Sequence, residues 1–501
     1  MEKIKKKNSK KDFSFKVEKL SNNEIKKINF KINRYFNYLN KNGVKYALDN
    51  QSKPYINSLS LGCKTCMDFT WACLYSNVLC TRNCFYCPQD RKIKEEKNPK
   101  SEENIFFDSV EDCINYLKKF NFKGIGFSGG EPFLIFNTLV KYIKKIKEVF
   151  GSKHYIWMYT NGDLVTEEKL KILNKLGLDE IRFDLSARDY DIKPVELAIK
   201  HIKTVTIEIP AIPEDLERIK YLLKKFEDMG VKYLNLHQLS MNKFNYKEYV
   251  KRRYILFLPD LKVQSFPVIE SEISALELLK YGIESKTKIG INYCSVCYKQ
   301  RFQRQSLRER HFSNCKESFD YFTSSKYLRR FLIEPSKDKL DKIKNILKKY
   351  SKSEYKIINN RNMNILVSLE LLFKIFKDIF SLNSKIKILY YNFLIGDLNE
   401  KNMKRFEKKY RNKKLILNKF QIAEIELENE SAIIFFKKLF IENKRFEQII
   451  NEFSKEYDLD KNEKDELFQD LKHFYRQFAD LEYLPKYFPM YRNKDLSRLK
   501  N

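Results

Sequence analysis

The sequence has no long apolar run. Its most hydrophobic stretch, MNILVSLELLFKIFKDIFSL at 363–382, is broken by Glu370, Lys374, Lys377 and Asp378. It reads as an amphipathic helix rather than a membrane span. The basic start, MEKIKKKNSKKDFSFK, has no apolar signal core behind it, so a cytoplasmic protein without a membrane partner is expected. Glycine is scarce, 13 residues in 501, while Lys, Asn and Ile recur everywhere. Acidic residues are also short, 66 against 97 Lys and Arg, for a formal charge of +31. The lysines lie on helix faces along the whole chain, so the excess speaks first of fields and solubility. Nucleic-acid binding stays open on charge alone. No exact internal repeat is present, and no cysteine follows residue 320.

What remains is a globular composition, 43% hydrophobic and 33% charged, long enough at 501 residues for several domains. Ten cysteines without a signal sequence argue for metal binding or catalysis over disulfides. From residue 69 to about 240, short apolar runs alternate with helical patterns. The strand candidates are 69–79, 123–129, 154–160, 180–186, 205–212 and 232–240. Between them, Asp108 and Glu111 mark a helix start, and Pro213 and Gly230 bracket another helix. A strand period of about 25–30 residues suits right-handed βαβ units. The expected fold is α/β, a partial parallel (β/α)6 barrel. In such folds chemistry gathers at the carboxyl ends of the strands. CTRNCFYC, SGGEP, TNGD and SARD follow the first four strand candidates in turn, so they should share one rim.

Cys80, Cys84 and Cys87 are an odd ligand set, since a closed zinc site takes four. An iron–sulfur cube also needs four ligands, and three thiolates leave one iron open to a small molecule. CTRNCFYC, with Tyr86 before its last cysteine, resembles the Cys-x3-Cys-x2-Cys signature of radical S-adenosylmethionine enzymes. GGEP, with Gly129, Gly130 and Glu131, is similar to that family's second-strand motif. The resemblance implies a [4Fe–4S] cluster whose open iron chelates S-adenosylmethionine. One electron, from a donor such as flavodoxin or ferredoxin, then yields a 5′-deoxyadenosyl radical that takes hydrogen from a substrate. It further implies that Glu131 pairs with the methionine ammonium and that Asn161, Ser186 and Arg188 contact ribose and carboxylate. EIPAIPED at 208–215 and His237 resemble the glycyl-radical activating branch, in which a histidine faces the adenosyl group. The resemblance spans about residues 60–300.

Two further pairs, Cys63 with Cys66 and Cys294 with Cys297, bracket the barrel in sequence. Such pairs can meet as one site for a second iron–sulfur cluster or a zinc ion, or remain separate thiols. Cys73 reads as core or a further ligand, Cys113 as core, and Cys315 has no assignment. The arginine-rich stretch 298–311 reads as a solvated face, with an anionic contact as the alternative. Residues 1–60 read as a basic extension, 61–320 as the barrel, and 321–501 as a mainly helical α+β accessory region. Within it, 417–485 resembles a winged-helix peptide chaperone: a strand pair, then three helices. The function expected is a radical maturase or activase acting on a peptide or protein. The alternatives are a radical RNA-modifying enzyme and a non-catalytic iron–sulfur protein.

Overall fold

The structure, a computed structural model, describes residues 2–5, 14–48, 52–90, 99–101, 106–258, 265–296, 298–303, 305, 308–309, 320–324, 326–336, 338–351, 353–358, 363–391, 421–442, 444, 446–467, 481–482 and 496–500. The chain divides into two units, the first comprising 1–303, 396–402 and 487–501, the second 304–395 and 403–486.

The first unit is built on one ten-stranded sheet. Its centre is a parallel run: β1 (Trp71–Asn77), β2 (Gly124–Gly129), β3 (Tyr155–Thr160), β4 (Glu180–Phe183), β5 (Thr204–Pro210), β6 (Tyr233–His237) and β7 (Gly290–Cys294). Neighbours pair in chain order, all parallel. The run therefore has seven strands where six were expected, because GINYC at 290–294 adds to the edge of β6. Short antiparallel strands flank it, Lys100–Ser101 beside β1 and Ser52–Tyr55 beside β7. Since the seven strands are parallel, their carboxyl ends lie on one edge.

The helices between them follow local signals. Helix α2 (Val110–Lys119) starts one residue later than expected. Ser109 Oγ accepts from Asp112 N at 3.1 Å and the Asp112 carboxylate accepts from Ser109 N at 3.1 Å, a capping box. Helix α6 (Leu216–Met229) ends at Gly230, whose φ of +94° is a conformation costly for residues with a Cβ. Helix α1 (Leu61–Met67), capped by Ser60, packs against β1, β2 and β3.

The N-terminal residues are not an appendage. A helix at Asn22–Lys41 packs on α7 (Ile269–Glu284), burying Ile25, Ile32, Phe36 and Leu39. The strand Ser14–Lys19 pairs with Leu496–Lys500, which pairs with Ile255–Phe257. Sequence patterning missed the last contribution because a five-residue strand returning from the far end of the chain has no local signature.

The second unit is less helical than expected. Strand β8 (Leu328–Glu334), helix α8 (Leu340–Tyr350), β9 (Tyr355–Ile357), β10 (Ile365–Val367), helix α9 (Leu369–Ser381) and β11 (Lys385–Tyr391) give the order β9-β10-β8-β11, all antiparallel. This is a ferredoxin-like βαββαβ arrangement. Strand β12 (Gln421–Leu427) continues it at the β11 edge, Ile386 opposite Leu427. The strand read as part of a winged-helix pair thus belongs to this sheet. Phe435, Leu439, Ile449, Ile450 and Phe453 form a small helical core beyond it; a third helix begins at 461–467, and the stripe expected for it, Phe468 to Phe478, lies outside the described residues. Arg308 is buried, its guanidinium 4.2 Å from the Tyr327 ring centroid, so it is not part of a solvated face. Among the described residues, no helix is long and apolar enough to cross a membrane.

Candidate radical site at the strand ends

The loop after β1 carries Cys80, Cys84 and Cys87, the first exposed and the others half-buried, none in a disulfide. It rests on the GGEP loop. Gly130 N donates to Asn77 O at 3.0 Å and Glu131 N to Leu79 O at 2.7 Å. A Cβ on Gly130 would lie 1.7 Å from Leu79 O, and Gly129 holds a φ of +121°. The glycines therefore admit the base of the cysteine loop.

Glu131 is 1% exposed. Its Oε1 accepts from Phe133 N at 3.1 Å and Thr160 Oγ1 at 2.9 Å, and its Oε2 from Asn161 N at 2.8 Å. Burial pushes its carboxyl up from the usual range, and these donors only partly offset that. The expected ammonium partner is thus a carboxylate already committed to the ends of β2 and β3.

Asn161 Nδ2 donates to Thr81 Oγ1 at 2.8 Å and lies 3.7 Å from Cys80 Sγ. Arg82 N donates to the same sulfur at 3.4 Å. Asp163, not singled out by sequence, is the latch. It accepts from Arg82 Nε at 2.6 Å, Arg82 Nη2 at 2.5 Å, Thr81 Oγ1 at 2.7 Å and Arg188 Nη1 at 3.2 Å. The Arg82 hydrogen bonds hold its carboxyl below the usual range. Arg188 also reaches Asp191 at 2.5 Å.

The other half of the loop docks through Tyr86. Its hydroxyl donates to Asp184 Oδ2 at 2.9 Å and sits 2.6 Å from Ser186 Oγ, which lies 2.5 Å from Asp184 Oδ1. Burial pushes the Asp184 pKa up to about 6, and the Ser186 and Tyr86 hydroxyls offset this only in part. Asn245 Nδ2 donates to Tyr86 O at 3.1 Å, Asn242 Nδ2 to Pro88 O at 3.0 Å, and the Arg252 guanidinium lies 3.7 Å from the Phe85 ring centroid. The loop is thereby held from both sides.

His237, at the end of β6, does not stand free. Its Nε2 is 2.5 Å from Glu208 Oε1 and its Nδ1 2.8 Å from Lys299 Nζ. Glu208 also accepts from Arg182 and Asn235, both at 2.8 Å. Burial alone would raise the Glu208 carboxyl, but Arg182 and His237 more than offset it and hold it below the usual range. Burial and then Lys299 lower the His237 pKa. A neutral imidazole, donating through Nε2 and accepting at Nδ1, satisfies both neighbours.

The outer cysteines come together in part. Cys63 and Cys66 project from α1, and Cys294 ends β7. Asn235 Nδ2 is 3.5 Å and Asn292 Nδ2 4.0 Å from Cys63 Sγ. Gln303 Nε2 is 3.3 Å and Tyr298 Oη 3.6 Å from Cys66 Sγ. Cys297 and Cys315 lie outside the described residues; Cys73 and Cys113 are buried in β1 and α2. Among the described residues, no three His, Cys, Asp or Glu side chains are gathered to hold a metal ion. A zinc ion holds its sulfurs all about 2.3 Å away. A cube binds each thiolate at a different iron, so its ligands stand farther apart. That donor set fits the cysteine loop: three thiols outside any disulfide, with Arg82 N–H and Asn161 N–H directed at one sulfur.

The radical SAM superfamily profile matches residues 75–200. A Methanocaldococcus jannaschii protein, named as a candidate glycyl-radical enzyme activating enzyme, is 30% identical over 326 residues, 63% of this chain and 83% of that one. Streptococcus suis SuiB, solved with S-adenosylmethionine, is 15% identical at a TM-score of 0.32, covering 44% of this chain and 49% of its own. Escherichia coli coproporphyrinogen III oxidase, described as a radical SAM enzyme, is 12% identical at a TM-score of 0.27, covering 41% and 50%. The chain spans about half the length of these solved structures.

Proposed function

Because this chain belongs to the radical SAM superfamily, we propose that it cleaves S-adenosylmethionine reductively and abstracts hydrogen from a protein or peptide, as an activase or maturase in the cytoplasm. One observation carries the reading: three thiols outside any disulfide on one loop, held over the strand ends by Thr81, Arg82 and Tyr86. Cys80, Cys84 and Cys87 would hold a [4Fe–4S] cluster, which with S-adenosylmethionine supplies a 5′-deoxyadenosyl radical.

The remaining work belongs to the protein. Arg82 N–H and Asn161 Nδ2 face the Cys80 sulfur and offset in part the burial that promotes its thiol. Gly129 and Gly130 bring the second-strand loop against the cysteine loop, and Glu131 fixes the Asn161 backbone beside it. Asn161, Ser186 and Arg188 are the polar groups offered to ribose and carboxylate, with Tyr86 locked to Ser186. Arg188 already neutralises Asp163 and Asp191, so it binds an anion only by sharing or exchanging one of them. His237, neutral between Glu208 and Lys299, is a hydrogen-bonding wall rather than an acid.

The protein-substrate reading draws on the name of the M. jannaschii relative. A flavodoxin or ferredoxin is the electron donor in this reading, and the outer cysteines, Cys63, Cys66, Cys294 and Cys297, form a second metal site. The test is anaerobic reconstitution with iron and sulfide, then reduction in the presence of S-adenosylmethionine. Parent protein should release 5′-deoxyadenosine, and Cys80→Ala, Cys84→Ala and Cys87→Ala should each abolish it. Full release by any one variant would overturn the assignment.

A further inference from the structure

Lys53 is buried to 1% exposure, on a strand where only its ammonium end could have wanted water. Its φ of +49° is left-handed, costing an L residue on the order of 1–2 kcal/mol. Burying an ammonium without a counter-charge costs several kcal/mol more. Two unfavourable features at one residue mark a position held for a purpose. Its Nζ lies 4.8 Å from the ring centroid of Tyr298, whose hydroxyl is 3.6 Å from Cys66 Sγ, and its strand pairs antiparallel with β7, Tyr55 opposite Asn292, next to the Cys294 end.

The thiols around it also face donors. Asn235 and Asn292 amides point at Cys63, and Gln303 and Tyr298 at Cys66. Neutral thiols gain little from a shell of N–H groups and a cation, while metal-bound thiolates gain a great deal. Among the described residues the three sulfurs are not gathered around one ion, an arrangement that suits ligands that each bind a separate iron. Cys294 sits beside His237 in register across β6 and β7.

We propose that Cys63, Cys66 and Cys294 bind an iron–sulfur cluster, and that Lys53 is the buried cation that balances its negative charge. This rests on the reading of the outer cysteines as a metal site, and decides which metal and what tunes it. A fixed cation beside a cluster stabilises the form with the extra electron, so Lys53 raises the reduction potential.

The experiment uses the full chain carrying Cys80→Ala, Cys84→Ala and Cys87→Ala together, reconstituted anaerobically with iron(II) and sulfide, or in parallel with zinc(II). The proposal expects about four iron and four sulfide per chain in this background, falling to near zero with Cys63→Ala or Cys294→Ala but not with Cys113→Ala, a core cysteine on α2. Lys53→Met should keep the iron and move its midpoint potential to a more negative value, with Lys53→Arg returning it towards the parent. Binding of about one zinc with no iron would overturn the cluster while sparing the outer metal site; no metal at all would overturn both. An unchanged potential in Lys53→Met would overturn the role given to the cation. That measurement is made on intact thiols, so it stands even where a cysteine variant fails to fold.

Discussion

Glu131→Ala removes a carboxylate that satisfies two backbone N–H groups and a hydroxyl in a site closed to water. Thr160 can turn its hydroxyl elsewhere, since it also accepts from Gly162 N, but Phe133 N and Asn161 N are stranded. Each buried orphan donor costs about 1–3 kcal/mol. Against this, the carboxyl's raised pKa shows that burying its charge is itself unfavourable, and truncation removes that penalty. The net expectation is a loss of about 2–4 kcal/mol. Glu131→Gln keeps one carbonyl oxygen for one donor and turns an NH2 towards the other, so about half that loss is expected. The protein has only two tryptophans, Trp71 on β1 and Trp157 on β3, both buried. Fluorescence therefore follows the first unit alone during urea unfolding of metal-free protein. With a slope of about 2–3 kcal/mol per molar, the midpoint should fall by about 1 M for Ala and less for Gln. In reconstituted protein, S-adenosylmethionine affinity should fall in the same order, because the Asn161 backbone is no longer fixed. An unshifted midpoint together with a large loss of affinity would refute the internal role and return Glu131 to direct contact with the methionine ammonium.

Gly130→Ala places a methyl carbon 1.7 Å from a backbone oxygen at the base of the cysteine loop. It should give protein that is insoluble or takes up no loop-bound iron, and normal iron content would show that the loop is free to move away. Asp184 has its pKa raised to about 6 by burial, so its contribution to stability is fully present at low pH and is lost as pH rises through about 6. Metal-free parent should therefore lose stability relative to Asp184→Asn between pH 5 and pH 7, read as urea midpoints at the two values. A difference that stays flat with pH would mean that Asp184 is ionised throughout.

The loops at the strand ends were legible because parallel topology places every βα loop on one edge, so four local motifs needed only the strand order to converge. Asp163 was not singled out, though it stands in the TNGD motif, because its value comes from Arg82, 81 positions earlier. Asp184 was hidden for the same reason: only the fold shows that Tyr86 lands on it. Glu131 stands out in the sequence but its partners do not, since sequence says which residue is acidic and not whether ligand or backbone faces it. The N-terminal residues were misread because lysine dominated the composition, while the α-helical spacing of Ile25, Ile32, Phe36 and Leu39 carried the packing.

One signal was in the sequence and went unused. Parallel strands buried on both faces usually read as unbroken apolar runs, yet EIRF, TVTIEIP, YLNLH and GINYC alternate strictly. One face carries Ile181, Phe183, Val205, Ile207, Leu234 and Ile291, all core. The other carries Glu180, Arg182, Thr206, Glu208, Asn235, His237, Asn292 and Cys294, aligned by register so that Glu208 faces Asn235 and His237 faces Cys294. Gly62 of α1 lies against this face, where a Cβ would come 2.4 Å from Arg182 Nη2. A polar wall is expensive to bury unless every group is matched. Arg182 is matched by Glu180 and Glu208, and His237 by Glu208 and Lys299. Within this set the two carboxylates meet the charges of Arg182 and Lys299, and Lys53, placed among Cys63, Cys66 and Cys294, adds one positive charge beyond them. Thiolates are the groups at hand to answer it, so the alternation that carries His237 to the rim also sets the surroundings of the proposed second centre.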